Sequence, residues 1–256
     1  MSIICPYCQQ ITTDFKKCLI CGRQLNTSDV LWWLKLCEYS YPANLATYSE
    51  RSKYPGYFES SPDKRESTVH FEDHFREAIK SSDPPVGPFL EVMFWKMYSQ
   101  RGRAEIRTKK LGEFLSSSGN KAKELKTSIE SFIVEPSDGN AKSLITACGL
   151  ASRTIAVAFT FPALYKSSLY PMVDTRVAKW VNNKIFNGES TLNGLIRFQM
   201  NYTSLQMNDF DAYLCWIDWC RKQAAILHRY QPEVKWRPRD VEMACFTDIA
   251  CELPML

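Results

Sequence analysis

A chain of 256 residues with 45% apolar and 23% charged residues has the composition of a globular protein and is long enough for one large domain, or a medium one with an appendage. A net charge of +4 permits a nucleic-acid partner without demanding one. No apolar run reaches the ~20 residues that span a bilayer, and the opening MSIICPYCQQ has no secretory signal pattern, so ten cysteines read as thiols and metal ligands of a cytoplasmic protein rather than as a disulfide framework.

The first element is Cys5-x2-Cys8 followed, nine residues on, by Cys18-x2-Cys21. Each pair forms a tight knuckle offering two thiolates, and four thiolates suit tetrahedral zinc, which needs no particular d-electron geometry. Residues 1–26 are therefore expected to be a small zinc ribbon that folds on its metal, with Cys5, Cys8, Cys18 and Cys21 as ligands. A redox pair is disfavoured because two such motifs lie close together.

Residues 27–68 are expected to be a helix and a connection. The helix starts at Asn26-Thr27-Ser28-Asp29, and its dense apolar positions Val30, Trp32, Trp33, Leu34 and Leu36 mark it as buried. From Tyr39 to Ser67 the chain is rich in Tyr, Ser, Pro and charge; Tyr54, Tyr57 and Phe58 either pack on the domain or stack on bases, packing being the commoner use.

Residues 69–256 carry helical spacing nearly throughout. Helices are expected over Val69–Lys80, Phe89–Gln100, Lys121–Val134, Asn140–Ala147, a short stretch ending at Phe198, Asp209–Tyr230, and a closing helix from Trp236. His70 and His74 lie one turn apart, but without a third ligand they read as surface residues. Arg101, Arg103, Arg107, Lys109 and Lys110 form the densest basic run, either a solvated face or a set of phosphate contacts. Cys215, Cys220, Cys245 and Cys251 lack the compact spacing that holds an iron–sulfur cluster, and none is expected.

The chain is organised around Leu144–Trp180. Gly149-Leu150-Ala151 reads as a tight turn between two helices, with Ser152–Phe159 helical after it. Pro162 and Pro171 bracket a loop, and Asp174 stands where a helix N-cap would stand. Two motifs here, Cys148-Gly149-Leu150-Ala151-Ser152-Arg153-Thr154-Ile155-Ala156 and Val173-Asp174-Thr175-Arg176-Val177, resemble those of the helix-hairpin-helix DNA glycosylases of the endonuclease III superfamily. The second motif matches closely; the first departs from the family pattern, with Ala151 in place of the second glycine.

The resemblance implies an all-α, two-lobed domain with the active site between lobes, preceded by the ribbon, and DNA as partner of a monomer. It implies Asp174 as the carboxylate that stabilises positive charge building on the sugar and orients water. Asp174 as a mere helix cap is the plainer alternative. Bifunctional members carry a nucleophilic lysine at the position of Arg153, and a guanidinium cannot serve as that nucleophile. A monofunctional enzyme leaving an abasic site follows, with Lys166 the residue that would upset this. Backbone N–H groups of Gly149, Ala151 and Ser152 are expected on a phosphate, with Arg153 and Arg176 adding charge there. Ser99-Gln100 matches a family dipeptide near the DNA, so Gln100 is expected to fill the gap left by the base or to contact a base, with Arg101 and Arg103 of the basic run beside it. Trp95, Tyr98, Tyr165 and Tyr170 are the candidate walls for a flipped base. The substrate is not named by any residue. The altered hairpin and added ribbon suggest a specialised branch, and a hypermodified cytosine of phage DNA, excised in defence, is the conjecture. A non-catalytic DNA-binding module is the alternative function.

Overall fold

The computed structural model describes residues 3–39 (except Pro6, Tyr7, Gln9, Thr13, Phe15 and Asn26), 64–97, 102–150, 155–188, 194–200 and 204–254. The described residues are predominantly helical, with one small antiparallel ladder, β1 (Ile3–Ile4) on β2 (Ile11–Thr12). The helices are α1 (Thr27–Glu38), α2 (Lys64–Ser81), α3 (Val86–Met97), α4 (Gly102–Ser116), α5 (Lys121–Val134), α6 (Asp138–Ala147), α7 (Ile155–Ala158), α8 (Thr160–Tyr165), α9 (Thr175–Phe186), α10 (Phe210–Tyr230) and α11 (Pro238–Thr247). None is long and apolar enough to cross a membrane. The chain forms two compact units: Met1–Tyr39 with Ser168–Phe198 and Asp211–Leu256, and Ser40–Ser167 with Gln199–Phe210.

In the first unit, α1 packs along α11. Its core is built on tryptophan: Trp216 stacks on Trp219 at 5.2 Å, and Trp32 and Trp180 lie 6.2 and 5.8 Å from Trp219. Helix α11 is fixed at both ends by buried acids. Asp240 accepts from the Arg237 backbone N–H and guanidinium, and Asp248 accepts from Trp180 Nε1 and from the N–H groups of Glu252 and Leu253. Buried Arg239 pairs with Glu242 and donates to Tyr39 Oη. The closing segment expected from Trp236 onward is thus tied to Tyr39, one residue past α1, and to Trp180 of α9 by charge-assisted hydrogen bonds that burial keeps dry.

The second unit is a phenylalanine core. Phe132 stacks on Phe159 at 4.9 Å with Phe210 beside both, and Phe75, Phe89 and Phe161 form a neighbouring cluster. Asp209 is buried and accepts from the N–H groups of Gln199, Met200 and Gln206, which shapes the return segment; Leu205 of that segment receives the N–H of Ile155, the first residue of α7.

Three expectations are corrected. Helix α3 begins at Val86 rather than Phe89, because Pro88 falls in its first turn, where a missing N–H costs nothing. Pro162 likewise sits in the first turn of α8, so the loop before Asp174 runs from Lys166 and not from Ala163. Residues 194–198 are not helical: Asn182 donates through Nδ2 to the Phe198 carbonyl and accepts the Phe198 N–H on Oδ1, both at 2.9 Å. That amide pair satisfies the groups a helix would have bonded.

Candidate functional site

The metal site is built from two like knuckles. In each, the first cysteine's N–H closes a turn onto a carbonyl five residues on: Cys5 to Gln10, and Cys18 to Arg23, both at 2.9 Å. Gly22 takes φ +72° directly after the last cysteine, a conformation that costs glycine little. Cys5 Sγ lies 3.8 Å from Cys21 Sγ, Cys8 Sγ lies 3.7 Å from Cys18 Sγ, and all four sulfurs fall within 4.8 Å of one another. Zinc–sulfur bonds of ~2.3 Å in a tetrahedron give sulfur separations of about 3.8 Å, so the donor set fits the ion in identity, number and spacing. The Cys21 N–H, donating to Cys18 Sγ at 3.4 Å, leads the effects that draw the Cys18 thiol down to about 6, which supplies thiolate at neutral pH. Cys5 and Cys18 also pack with Leu25 and Val30, so the knuckles share a small apolar cluster with the start of α1. Four cysteines close enough to hold one metal ion are therefore present at the positions the spacing indicates.

Asp174 caps α9. Its Oδ1 accepts from the N–H groups of Arg176 and Val177, both at 2.9 Å, while Oδ2 makes no hydrogen bond among the described residues. The segment leading to it, 169–173, lies outside helices and strands and is held along α10 by three side chains. Tyr213 Oη donates to the Pro171 carbonyl at 3.1 Å, Trp216 Nε1 to the Met172 carbonyl at 3.0 Å, and Arg221 Nε to the Leu169 carbonyl at 3.0 Å. Burial pushes the Tyr213 hydroxyl well up, so it stays a donor. Tyr170 is buried beneath the Arg221 guanidinium, 5.3 Å from its ring centroid. The result is a half-exposed carboxylate with one oxygen engaged and one available, behind a segment whose Leu169, Pro171 and Met172 carbonyls are bonded. Arg176 is exposed and lies over the Phe246 ring at 4.5 Å.

The hairpin turn follows α6 in the other unit. Gly149 has φ +62°, and a Cβ there would stand 2.6 Å from Cγ of Phe114 on α4, so glycine is required both for conformation and for space. Its N–H, expected on a phosphate, donates to the Thr146 carbonyl at 2.9 Å and closes the end of α6. The backbone thus spends that donor on an otherwise orphaned helix-end carbonyl. Ala151, Ser152 and Arg153 lie outside the described residues, as do Tyr98, Gln100, Arg101, Tyr54, Tyr57 and Phe58.

Of the remaining candidates, Trp95 is buried and stacks on Phe71 at 5.3 Å, and Tyr165 donates its hydroxyl to Glu130 Oε1 at 3.3 Å. Arg103 and Lys166 are exposed. His74 bonds Glu91 at 2.8 Å, and His70 is exposed. Among the C-terminal cysteines, burial pushes the thiols of Cys220 and Cys245 well above their ordinary range. Of the three residues that hold the Asp174 segment, Tyr213 and Trp216 read from their aromatic spacing simply as core, and Arg221 carries no sequence signal of this role.

No family model, curated protein or solved structure matches this chain.

Proposed function

We propose that the protein is a monofunctional DNA glycosylase with a structural zinc ribbon, in the manner of the helix-hairpin-helix enzymes that the motif Val173–Val177 resembles. The observation that carries this reading is the state of Asp174: one carboxylate oxygen caps α9, the other is available, and the carbonyls of Leu169, Pro171 and Met172 before it are each held by a side chain of α10. A carboxylate held in this way stabilises an oxocarbenium-like sugar and orients the attacking water without rearranging. Cys5, Cys8, Cys18 and Cys21 would hold zinc, which would supply folding energy to the ribbon. With Arg153 at the position where bifunctional relatives carry lysine, the product is an intact strand bearing an abasic site. The substrate class is a damaged or modified base, with a hypermodified cytosine of phage DNA as the first to try.

A second reading, a DNA-binding module without catalysis, is favoured by one fact: Asp174 is already useful as a cap, and capping alone accounts for an acid at that place. The two are separated by incubating the protein with a panel of genomic, phage and lesion-bearing DNAs and identifying released bases by mass spectrometry. Release by wild type and not by Asp174→Asn supports the enzyme; binding without release by either supports the module.

A further inference from the structure

Helix α4 carries Arg103, Arg107, Lys110 and Phe114 at i, i+4, i+7 and i+11, which at ~100° per residue places them within an arc of about 60°. Arg103, Arg107 and Lys110 are exposed, and none of the three forms an ion pair or hydrogen bond among the described residues. Their neighbours differ. Lys109, outside the arc, lies 4.0 Å from Glu113. Lys80, Lys121, Lys123 and Lys142 of the same compact unit each have a carboxylate within 2.9 Å, from Glu77, Glu124, Asp83 and Asp138. The unit thus pairs five lysines with local acids and leaves this line of cations bare; Lys126 and Lys166 of the same unit are also without an acid partner among the described residues, but neither is aligned with others, and alignment is what sets the α4 line apart. Ile106, 57% exposed, adds an apolar surface beside it.

The line also has a direction. It ends at Phe114, whose ring fills the space in front of Gly149, and Lys121 Nζ lies 5.7 Å from the centroid of the same ring. The stripe therefore runs onto the hairpin turn within one unit. At ~1.5 Å rise per residue its length is about 16 Å. Over that distance one DNA strand, at ~3.4 Å of axis per phosphate, presents about five charges.

We propose that Arg103, Arg107 and Lys110 form a phosphate-tracking face that takes one strand of duplex DNA along α4 toward the hairpin turn at Gly149. The proposal rests on DNA as the partner named above and not on the chemistry at Asp174. An unpaired, aligned set of cations next to an apolar side chain suits a phosphate–sugar backbone, where counterion release supplies the affinity and no sequence is read.

The test is equilibrium binding of the full chain to a labelled unmodified duplex between about 50 and 200 mM salt, comparing two triple variants of equal charge change. Arg103→Gln/Arg107→Gln/Lys110→Gln should make the slope of log K against log salt shallower by about two to three, one per lost phosphate contact. Lys80→Gln/Lys109→Gln/Lys142→Gln should change it by less than about one, since those lysines are already paired. Arg103→Lys/Arg107→Lys keeps the charges and should keep the slope. It also controls for any loss of fold, which circular dichroism monitors in each variant. Equal slopes for the two triple variants would overturn the proposal, as would wild type that shows no salt-dependent binding. Base release is scored separately: binding that follows this pattern without release of any base leaves the stripe standing and removes the enzyme, and release with an unaltered slope does the reverse.

Discussion

Trp216 donates its indole N–H to the Met172 carbonyl at 3.0 Å, two residues before Asp174, and Tyr213, one turn earlier on α10, does the same for Pro171 at 3.1 Å. Met172 and Pro171 are buried, so water cannot replace either donor. Tyr213→Phe removes one oxygen and keeps the ring. It should lower stability by about 1–3 kcal/mol, the cost of a buried carbonyl left unpaired. In urea titrations this appears as a lower midpoint with an unchanged slope. A midpoint equal to wild type would show that the Tyr213 hydrogen bond contributes nothing to holding the segment before Asp174.

Gly149→Ala meets two obstacles, a φ of +62° and the Phe114 ring at 2.6 Å from the new Cβ. The backbone part costs about 1 kcal/mol or more and the clash adds to it. Phe114→Ala removes only the clash. The double variant should therefore lose less stability than the sum of the two singles, with a coupling of about 0.5–3 kcal/mol in thermal or urea melts. Strict additivity would mean that Phe114 does not press on the turn.

The ribbon should hold one zinc per chain. Cys8→Ala leaves three thiolates and should lower the metal content to well under one equivalent, read by elemental analysis after gel filtration. Chelation of wild type should loosen residues 3–25 first, seen as faster amide exchange there, because the ribbon has too little apolar core to fold without its ion. Full protection of these amides after complete metal removal would contradict a metal-folded ribbon.

The pair His74–Glu91 joins α2 to α3 at 2.8 Å. Burial holds the Glu91 carboxyl above its ordinary 4.5, with His74 opposing. The folded state therefore keeps a proton that the unfolded state has lost, and unfolding releases it. Stability contributed by this group falls as pH rises from about 4.5 through the raised value, then levels. Glu91→Gln cannot titrate. The difference in unfolding free energy, wild type minus variant, should decline across that window, and a flat difference would remove Glu91 as its source.

Much of this was legible in the sequence, for reasons that lie in particular residues. The two Cys-x2-Cys pairs define the four-sulfur cluster because a knuckle is a local structure. Helices α5 and α10 follow from apolar spacing, and Asp174 from its place before Val177 and Ala178. What escaped is nonlocal. Asn182 on α9 bonds both backbone groups of Phe198 in the non-helical stretch 194–198, which no local pattern shows. Tyr213 and Trp216 look like core because they are core; that their polar tips reach the carbonyls before Asp174 depends on the packing of a segment 42 and 44 residues away. The bare stripe on α4 was visible only as a basic run, since an acid such as Asp83, which neutralises Lys123, comes from a segment forty residues away.

The central claim is that Asp174 performs chemistry and no lysine attacks the sugar. The direct measurement is a single-turnover assay on an end-labelled duplex from which wild type releases a base, run with borohydride present and with alkali added afterwards. Wild type should leave an intact strand that breaks only on alkali or heat, with no covalent adduct. Asp174→Asn keeps a capping oxygen and should fold and bind, with release slowed by roughly 10²-fold or more. A trapped adduct would assign a lysine, Lys166 first, as nucleophile and end the monofunctional account. Equal release by wild type and Asp174→Asn would show that the acid is only a cap.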